Sequence, residues 1–210
     1  MTKILIADDH AILRQGVKEI LHREFGEITC GEAENAEQAL TQIQREHWDL
    51  LILDLDLPDR SGLDVLRDLK CQRSRVPVLV LSVHPEDQFG KRVLKGGAAG
   101  YMNKECAPQE LFKAIRKILG GGRYLSPALA EKLATELVAT DQRPLHEVLS
   151  DREFEVLRLL ASGKTTSQIA DELNLAVTTI STYRARIHEK TGMTTSAELM
   201  HYALSNHLVE

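Results

Sequence analysis

The first part of this 210-residue chain alternates short apolar runs with longer stretches whose apolar positions recur every three or four residues. The runs fall at 3–7, 27–30, 50–54, 76–81 and 100–102. Leu50-Leu51-Ile52-Leu53 is apolar at every position, not at alternate ones. Such a strand needs cover on both faces, as in a parallel sheet between two layers of helices. Between the runs, Leu13, Val17, Ile20 and Leu21 mark one helix, and Leu111, Ile115, Ile118 and Leu119 another. Five strand–helix units predict a doubly wound α/β domain over residues 1–120. A ligand site of that fold lies at the carboxyl ends of its strands.

The pattern changes after Gly120-Gly121-Gly122. Ser126-Pro127 reads as an N-cap and first-turn proline, opening a helix with Leu129, Leu133 and Leu137. Residues 140–146 are polar, contain Pro144 and read as a flexible linker, so 121–146 forms a connector that includes a helix. From Leu149 the periodicity is purely helical, with helices expected at 151–161, 166–173, 177–190 and 196–206. The second buries Ile169, Ala170 and Leu173, a tight turn follows at Asn174, and the third turns Ile180, Tyr183 and Ile187 inward. That is helix–turn–helix spacing over an all-α domain at 147–210. The outward face of the third helix carries Thr178, Ser181, Thr182 and Arg186, flanked by Arg184 and Lys190. Short hydroxyls and arginines of this kind reach base edges and phosphates.

Charge constrains that reading. The chain carries a net charge of −5, so no global positive field attracts nucleic acid or an anionic membrane. Residues 145–210 hold six basic and nine acidic side chains, net −3, while 177–190 alone is net +2. Positive potential is confined to one helix, which predicts weak non-specific DNA affinity for a monomer. The composition, 43% hydrophobic and 27% charged, is that of a globular protein. Cys30, Cys71 and Cys106 are odd in number and form no CxxC pair, which suits a reducing compartment. The longest apolar stretches fall short of the ~20 residues that span a bilayer. Asp8 and Asp9 precede any signal-peptide core. A cytoplasmic protein without membrane attachment is expected.

The acidic residues carry the chemistry. Asp8 and Asp9 close the first predicted strand and Asp54 the third, so all three share one rim. An Asp pair after a strand is commonly just a helix cap. Three carboxylates together, however, repel one another unless a hard cation neutralises them, and Mg2+ suits oxygen ligands. Ser82 follows the fourth strand and Lys104 the fifth, on the same rim. A nucleophilic carboxylate, a divalent metal, a hydroxyl and an ammonium suit phosphoryl chemistry. His10 and His84 flank the pocket and read as surface histidines, and Trp48 as core cover.

Ile4-Leu5-Ile6-Ala7-Asp8-Asp9-His10, Leu53-Asp54-Leu55-Asp56-Leu57-Pro58 with Gly62, Leu81-Ser82 and Gly97-Ala98-Ala99-Gly100-Tyr101-Met102-Asn103-Lys104 resemble the receiver domain of bacterial two-component response regulators. The resemblance covers residues 1–120 and implies a flavodoxin-like fold with a five-stranded sheet. It makes Asp54 the phosphoacceptor. Mg2+ is held by Asp9 and Asp54, by Asp8 through water and by the Asp56 backbone carbonyl. Lys104 contacts the phosphoryl group, and Ser82 and Tyr101 form the switch pair, Tyr101 rotating inward on phosphorylation. Glu105 stands where many receivers have proline. In the second domain, Leu149-Ser150-Asp151-Arg152-Glu153-Phe154-Glu155-Val156-Leu157, Ala161-Ser162-Gly163-Lys164, Ile169-Ala170 and Thr179-Ile180-Ser181-Thr182-Tyr183 resemble the LuxR-type DNA-binding domain. Ser181, Tyr183 and Thr191 replace the Lys, His and Leu usual there, so base readout is expected to be distinct. Together the two resemblances imply the NarL/FixJ class.

The expectation is a phosphorylation-dependent transcriptional regulator, not an enzyme beyond self-phosphorylation and autodephosphorylation. Its partners are then a sensor histidine kinase, promoter DNA and, on activation, a second copy, with Leu199, Ala203 and Leu204 of the last helix as effector-side dimer contacts. Two alternatives stand. Asp54-Leu55-Asp56 mimics the DxD of haloacid-dehalogenase phosphatases, although Pro58 stands where Thr or Val is usual. The helical domain could also serve a phospho-switched adaptor that binds protein instead of DNA.

Overall fold

A computed structural model describes residues 1–138 and 144–209. The chain forms two compact units, Met1–Val138 and Ala139–Glu210. Residues 140–143 of the expected linker lie outside the described residues.

In the first unit, β1 (Thr2–Ala7), β2 (Ile28–Ala33), β3 (Leu50–Leu53), β4 (Val78–Ser82) and β5 (Gly100–Asn103) form one parallel sheet in the order β2-β1-β3-β4-β5. The expected runs and the observed strands differ mainly at their ends. The largest difference is β2, which extends to Ala33 because Ile6 and Ala7 pair with Glu32 and Ala33. All four residues of β3 are buried, as its unbroken apolar run required. Ile4, Ile6, Ile52, Leu79 and Leu81 pack with α1 (Ala11–Phe25) and α5 (Pro108–Leu119). The alternate residues Leu5, Leu51, Leu53 and Val80 are also buried, pointing to the opposite face. That face is covered by α2 (Ala36–Arg45), α3 (Gly62–Cys71) and α4 (Glu86–Gly96). Trp48 is core cover: it is buried, and its indole N–H donates to the Gln42 carbonyl. The winding reverses between β1 and β3, which opens a crevice at their carboxyl ends.

The helix expected in the connector exists as α6 (Pro127–Val138) and belongs to the first unit. Ser126 caps it by accepting from Leu129 N–H, and its hydroxyl donates to Glu86 of α4 at 2.5 Å. Leu129 is buried, with its methyls over Gly90, where a β-carbon would stand 2.9 Å away.

The second unit contains α7 (Asp151–Ala161), α8 (Thr166–Glu172), α9 (Val177–Thr191) and α10 (Ser196–Ser205), preceded by a short 3-10 turn at Leu145–Val148. Reciprocal capping boxes start three of them: Ser150 with Glu153, Thr165 with Gln168 and Thr195 with Glu198. Each satisfies two amides that a helix start leaves free. Asn174 takes φ +55° in the turn between α8 and α9, a conformation Asn tolerates better than most residues. Phe154, Leu157, Ile169, Ile180 and Ile187 form the core, together with Leu199 and Ala203. This corrects the expected dimer contacts: of Leu199, Ala203 and Leu204 only Leu204 is exposed, because the others close the core. No helix among the described residues is long and apolar enough to cross a membrane.

The start of α3 leaves no room for a side chain. A β-carbon at Gly62 would lie 2.3 Å from the Asp54 carbonyl oxygen, and Gly62 N–H donates to Leu55 O at 2.8 Å. Because the obstacle is backbone, Gly62→Ala is expected to destabilise the first unit by about 2 kcal/mol, read from the urea midpoint at unchanged slope.

Candidate functional site

The sheet ladder continues one rung past three strands and ends each time on a charged residue. Asp8 N–H donates to Ala33 O (3.1 Å), Asp54 N–H to Ala7 O (2.8 Å) and Lys104 N–H to Ser82 O (2.8 Å). Three backbones are thereby fixed on one rim, with their side chains converging. Lys104 Nζ lies 2.7 Å from both Asp8 Oδ2 and Asp54 Oδ2. Asp8 and Asp54 are each only 2% exposed. Asp9 stands at the open side, and one ligand atom from each of Asp8, Asp9, His10 and Asp54 falls within a 4.8 Å cluster. This is an acidic cluster that could hold a metal ion.

Its electrostatics are asymmetric. Burial alone would lower the Lys104 pKa, but the bonds to Asp54 and Asp8 outweigh it and raise the value. For Asp54, burial pushes the carboxyl above the usual range, and the Lys104 hydrogen bond does not restore it. Asp54 Oδ1 is buried and has no hydrogen-bond partner among the described residues. Buried carboxylate oxygens are rarely left unpaired. A divalent cation or a transferred phosphoryl group supplies the kind of partner this oxygen lacks.

Ser82 and Tyr101 meet beside this pocket. Ser82 is buried and its Oγ accepts from His84 N–H at 3.2 Å. The Tyr101 ring is fully enclosed and its hydroxyl donates to His84 O at 2.7 Å. Burial pushes the phenol well above its usual pKa. This inward placement is the one the resemblance assigns to the switched state.

In the second unit, Thr178, Ser181, Thr182, Arg184, Arg186 and Lys190 are all exposed, but they do not share one direction. At 100° per residue, the direction opposite Ile180 and Ile187 passes through Thr178, Thr182, Ala185 and Glu189. Thr178, Thr182 and Arg186 line one shallow depression with Thr179 and Tyr183. Ser181 and Thr182 hydroxyls donate to the carbonyls one turn back, Val177 and Thr178, at 3.0 Å. Arg184 leans toward α10, its Nη2 lying 3.4 Å from Ser196 Oγ. Lys190 binds Glu153 at 2.6 Å, the same buried acid that caps α7. Tyr183, expected inward, is only half-buried.

Comparison with known proteins covers both units. The response regulator receiver domain matches residues 4–116, and the bacterial regulatory proteins of the luxR family match residues 147–203. The chain belongs to the response regulators of the NarL/FixJ class. It is 31% identical over 210 residues to the response regulator UvrY of Escherichia coli strain K12, covering 99% of this chain and 96% of that protein. It is 33% identical over 211 residues to the response regulator GacA of Pseudomonas aeruginosa, covering 100% and 99%. A solved structure of RcsB from Salmonella enterica serovar Typhimurium, bound to promoter rprA with the phosphomimetic BeF3−, shares 27% identity. Its TM-score is 0.67, over 98% of this chain and all of that one. These relatives favour the regulator over the phosphatase reading of Asp54-Leu55-Asp56.

Two features of this response regulator differ from the sequence reading or escape it. His84 is no simple surface residue: its ring stacks on Phe89 at 4.6 Å, and Nε2 meets Asp56 Oδ1 at 2.9 Å. His10 is the exposed histidine that the sequence predicts, with Nδ1 2.6 Å from Asp9 Oδ1. Arg14 was missed entirely: it is buried in α1 and bonded to the Asp8 carbonyl. Its single signal was a charged residue interrupting an otherwise apolar helix face. Cys106 follows Lys104 by two residues but packs against the hydrophobic core, and burial pushes its thiol up, away from a reactive thiolate.

The raised Asp54 pKa has a sign that can be tested. A carboxyl whose pKa is higher in the folded state contributes stability that is full below its unfolded pKa and lost as pH rises through the folded one. In EDTA, Asp54→Asn is therefore expected to melt above the wild type at neutral pH. The two should converge as pH falls into the ordinary carboxylate range, checked by paired thermal melts.

Proposed function

We propose that this response regulator is switched by a phosphoryl group on Asp54 and, so switched, binds promoter DNA as a dimer. The observation that carries this is the buried, unpartnered Asp54 Oδ1, beside Oδ2 already held by Lys104. An oxygen kept from hydrogen bonding and water retains its lone pair for attack. It forms the bond to phosphorus as the donor's leaving group departs, giving a mixed anhydride. Asp9 and Asp54 would hold Mg2+, with Asp8 acting through water and the Asp56 backbone carbonyl completing the set. The ion supplies charge neutralisation for the phosphoryl oxygens. Lys104 stays beside the new anhydride and balances its charge. The donor in the cell is a sensor histidine kinase, and the setting is the cytoplasm.

The phosphoryl group adds about −1.5 to −2 charge and three acceptor oxygens. Ser82 turns its hydroxyl to one of them, and the backbone at His84 follows, because Ser82 Oγ holds its N–H and Tyr101 holds its carbonyl. The Ser82–Tyr101 pair thereby biases two arrangements of α4 and β5. Residues 121–146 connect this switch to the DNA-binding domain at 147–210. Pairing two copies suits a net-acidic domain whose single-copy DNA affinity is weak. On DNA, Thr178, Ser181 and Thr182 face base edges while Arg184 and Arg186 meet phosphates. Lys190 contributes less, since Glu153 already holds its charge.

Asp54→Asn is expected to abolish labelling by a radiolabelled acyl phosphate, because an amide forms no anhydride. Retention of hydroxylamine-labile label in this variant overturns the assignment. On DNA, Arg186→Ala should weaken binding to cognate and scrambled sites alike and lower the salt slope by about 1. Lys190→Ala should move the slope less, and Thr182→Ala should instead change the cognate-to-scrambled ratio. A salt titration on both sites reads all three, and slopes unchanged in both basic variants refute α9 as the DNA-binding helix.

A further inference from the structure

Arg14 is a buried cation that phosphoryl transfer to Asp54 does not use directly. It lies in the first turn of α1 and is only 4% exposed. Its guanidinium points back at the loop before the helix. Nη1 donates to the backbone carbonyl of Asp8 at 2.7 Å, Nε to Glu32 at 2.9 Å and Nη2 to Glu34 at 2.9 Å. Three partners in three directions suit a rigid planar fork and not the point charge of a lysine.

What the fork holds is the peptide between the two acidic residues. The Asp8 carbonyl and the Asp9 N–H belong to one planar unit. Fixing that oxygen fixes the plane by which the chain enters Asp9, and with it the direction of the Asp9 carboxylate. The rest of Asp8 is already held: its N–H by Ala33 O, Oδ1 by His10 N–H and Oδ2 by Lys104. Asp9 has no such frame, since its carboxylate is 38% exposed and meets the exposed His10 ring. The Asp8 carbonyl is thus the point at which Asp9 can be aimed. Glu32 and Glu34 have a second effect: two acids beside the guanidinium cancel its charge, so the rim remains negative where a cation would bind.

We propose that Arg14 is a positioning residue for the divalent cation, setting the affinity of the Asp8–Asp9–Asp54 cluster by orienting the Asp8–Asp9 peptide. This rests on the reading of that cluster as a metal site. It separates affinity from chemistry: Asp54 and Lys104 are held without Arg14, so attack on phosphorus is unimpaired once the ion is bound.

The test uses the full chain with Mn2+ as the probe, its free concentration followed by electron paramagnetic resonance. Arg14→Met should raise the half-saturating Mn2+ concentration by about 10-fold or more. Labelling of Asp54 at saturating Mg2+ should keep its maximal rate within about twofold. Lys18→Met removes another cation from Glu32 without touching Asp8 and should leave affinity unchanged. Glu34→Gln, at an exposed acid, should lower affinity less than Arg14→Met. Equal Mn2+ affinity in Arg14→Met and wild type overturns the role, as does a matching loss of affinity and maximal rate. Should Arg14→Met fail to fold, unchanged affinity in both Arg14→Lys and Glu34→Gln overturns it. A wild-type chain that binds no Mn2+ refutes the metal site itself, an outcome distinct from the others.

Discussion

Two carboxylates that are almost wholly removed from water face each other across the rim of the sheet, and one ammonium sits between them. Lys104 Nζ is 2.7 Å from Asp8 and 2.7 Å from Asp54. Moving an ion from water into a protein interior costs several kcal/mol even after relaxation. A single cation shared between two anions leaves that cost only partly offset. The residual is visible in the raised Asp54 carboxyl and in its unpartnered Oδ1. The fold holds this unfavourable arrangement because the ladder of β1, β3 and β5 extends through the backbones of these residues. These backbone bonds fix where each side chain leaves the sheet.

This incompleteness leaves the site room to gain partners. A site already satisfied would gain little from a metal or a phosphoryl group, whereas one with an orphaned oxygen gains a full set of partners. The contacts that lead away from this site are few. Ser82, the His84 backbone and Tyr101 form one chain of hydrogen bonds from the pocket to the start of α4. Glu86, in the first turn of α4, is bound by Ser126 at the start of α6. α4 is thereby tied to the first turn of α6.

The DNA-binding unit shows the opposite economy. Its core is small, apolar and well capped, and its polar surface is mostly acidic. Of the three basic residues on α9, Lys190 serves Glu153 and Arg184 leans toward α10, while Arg186 makes no ion pair among the described residues. Glu189 occupies the outward face itself. Little positive charge on this helix is left for phosphates.

The strand and helix order, the helix–turn–helix and the identity of Asp8, Asp9, Asp54, Ser82 and Lys104 as rim residues were all legible in the chain. They follow from local pattern: an unbroken apolar run demands a doubly covered strand, and the residue after such a strand lies at the sheet edge. The turn at Asn174 is equally local. Contacts between residues far apart in sequence were not legible. Arg14 reads as an ordinary helical arginine until Glu32 and Glu34 are brought to it by the pairing of β1 with β2. His84 reads as a surface residue until Asp56 arrives 28 positions away, and Lys190 as a DNA contact until Glu153, 37 positions away, claims it. The same holds for Leu199 and Ala203, whose apolar stripe shows that a face is buried but not against what. Periodicity and strand ends are properties of neighbouring residues, so sequence determines them. Which charge meets which is a property of packing, and only the tertiary structure decides it.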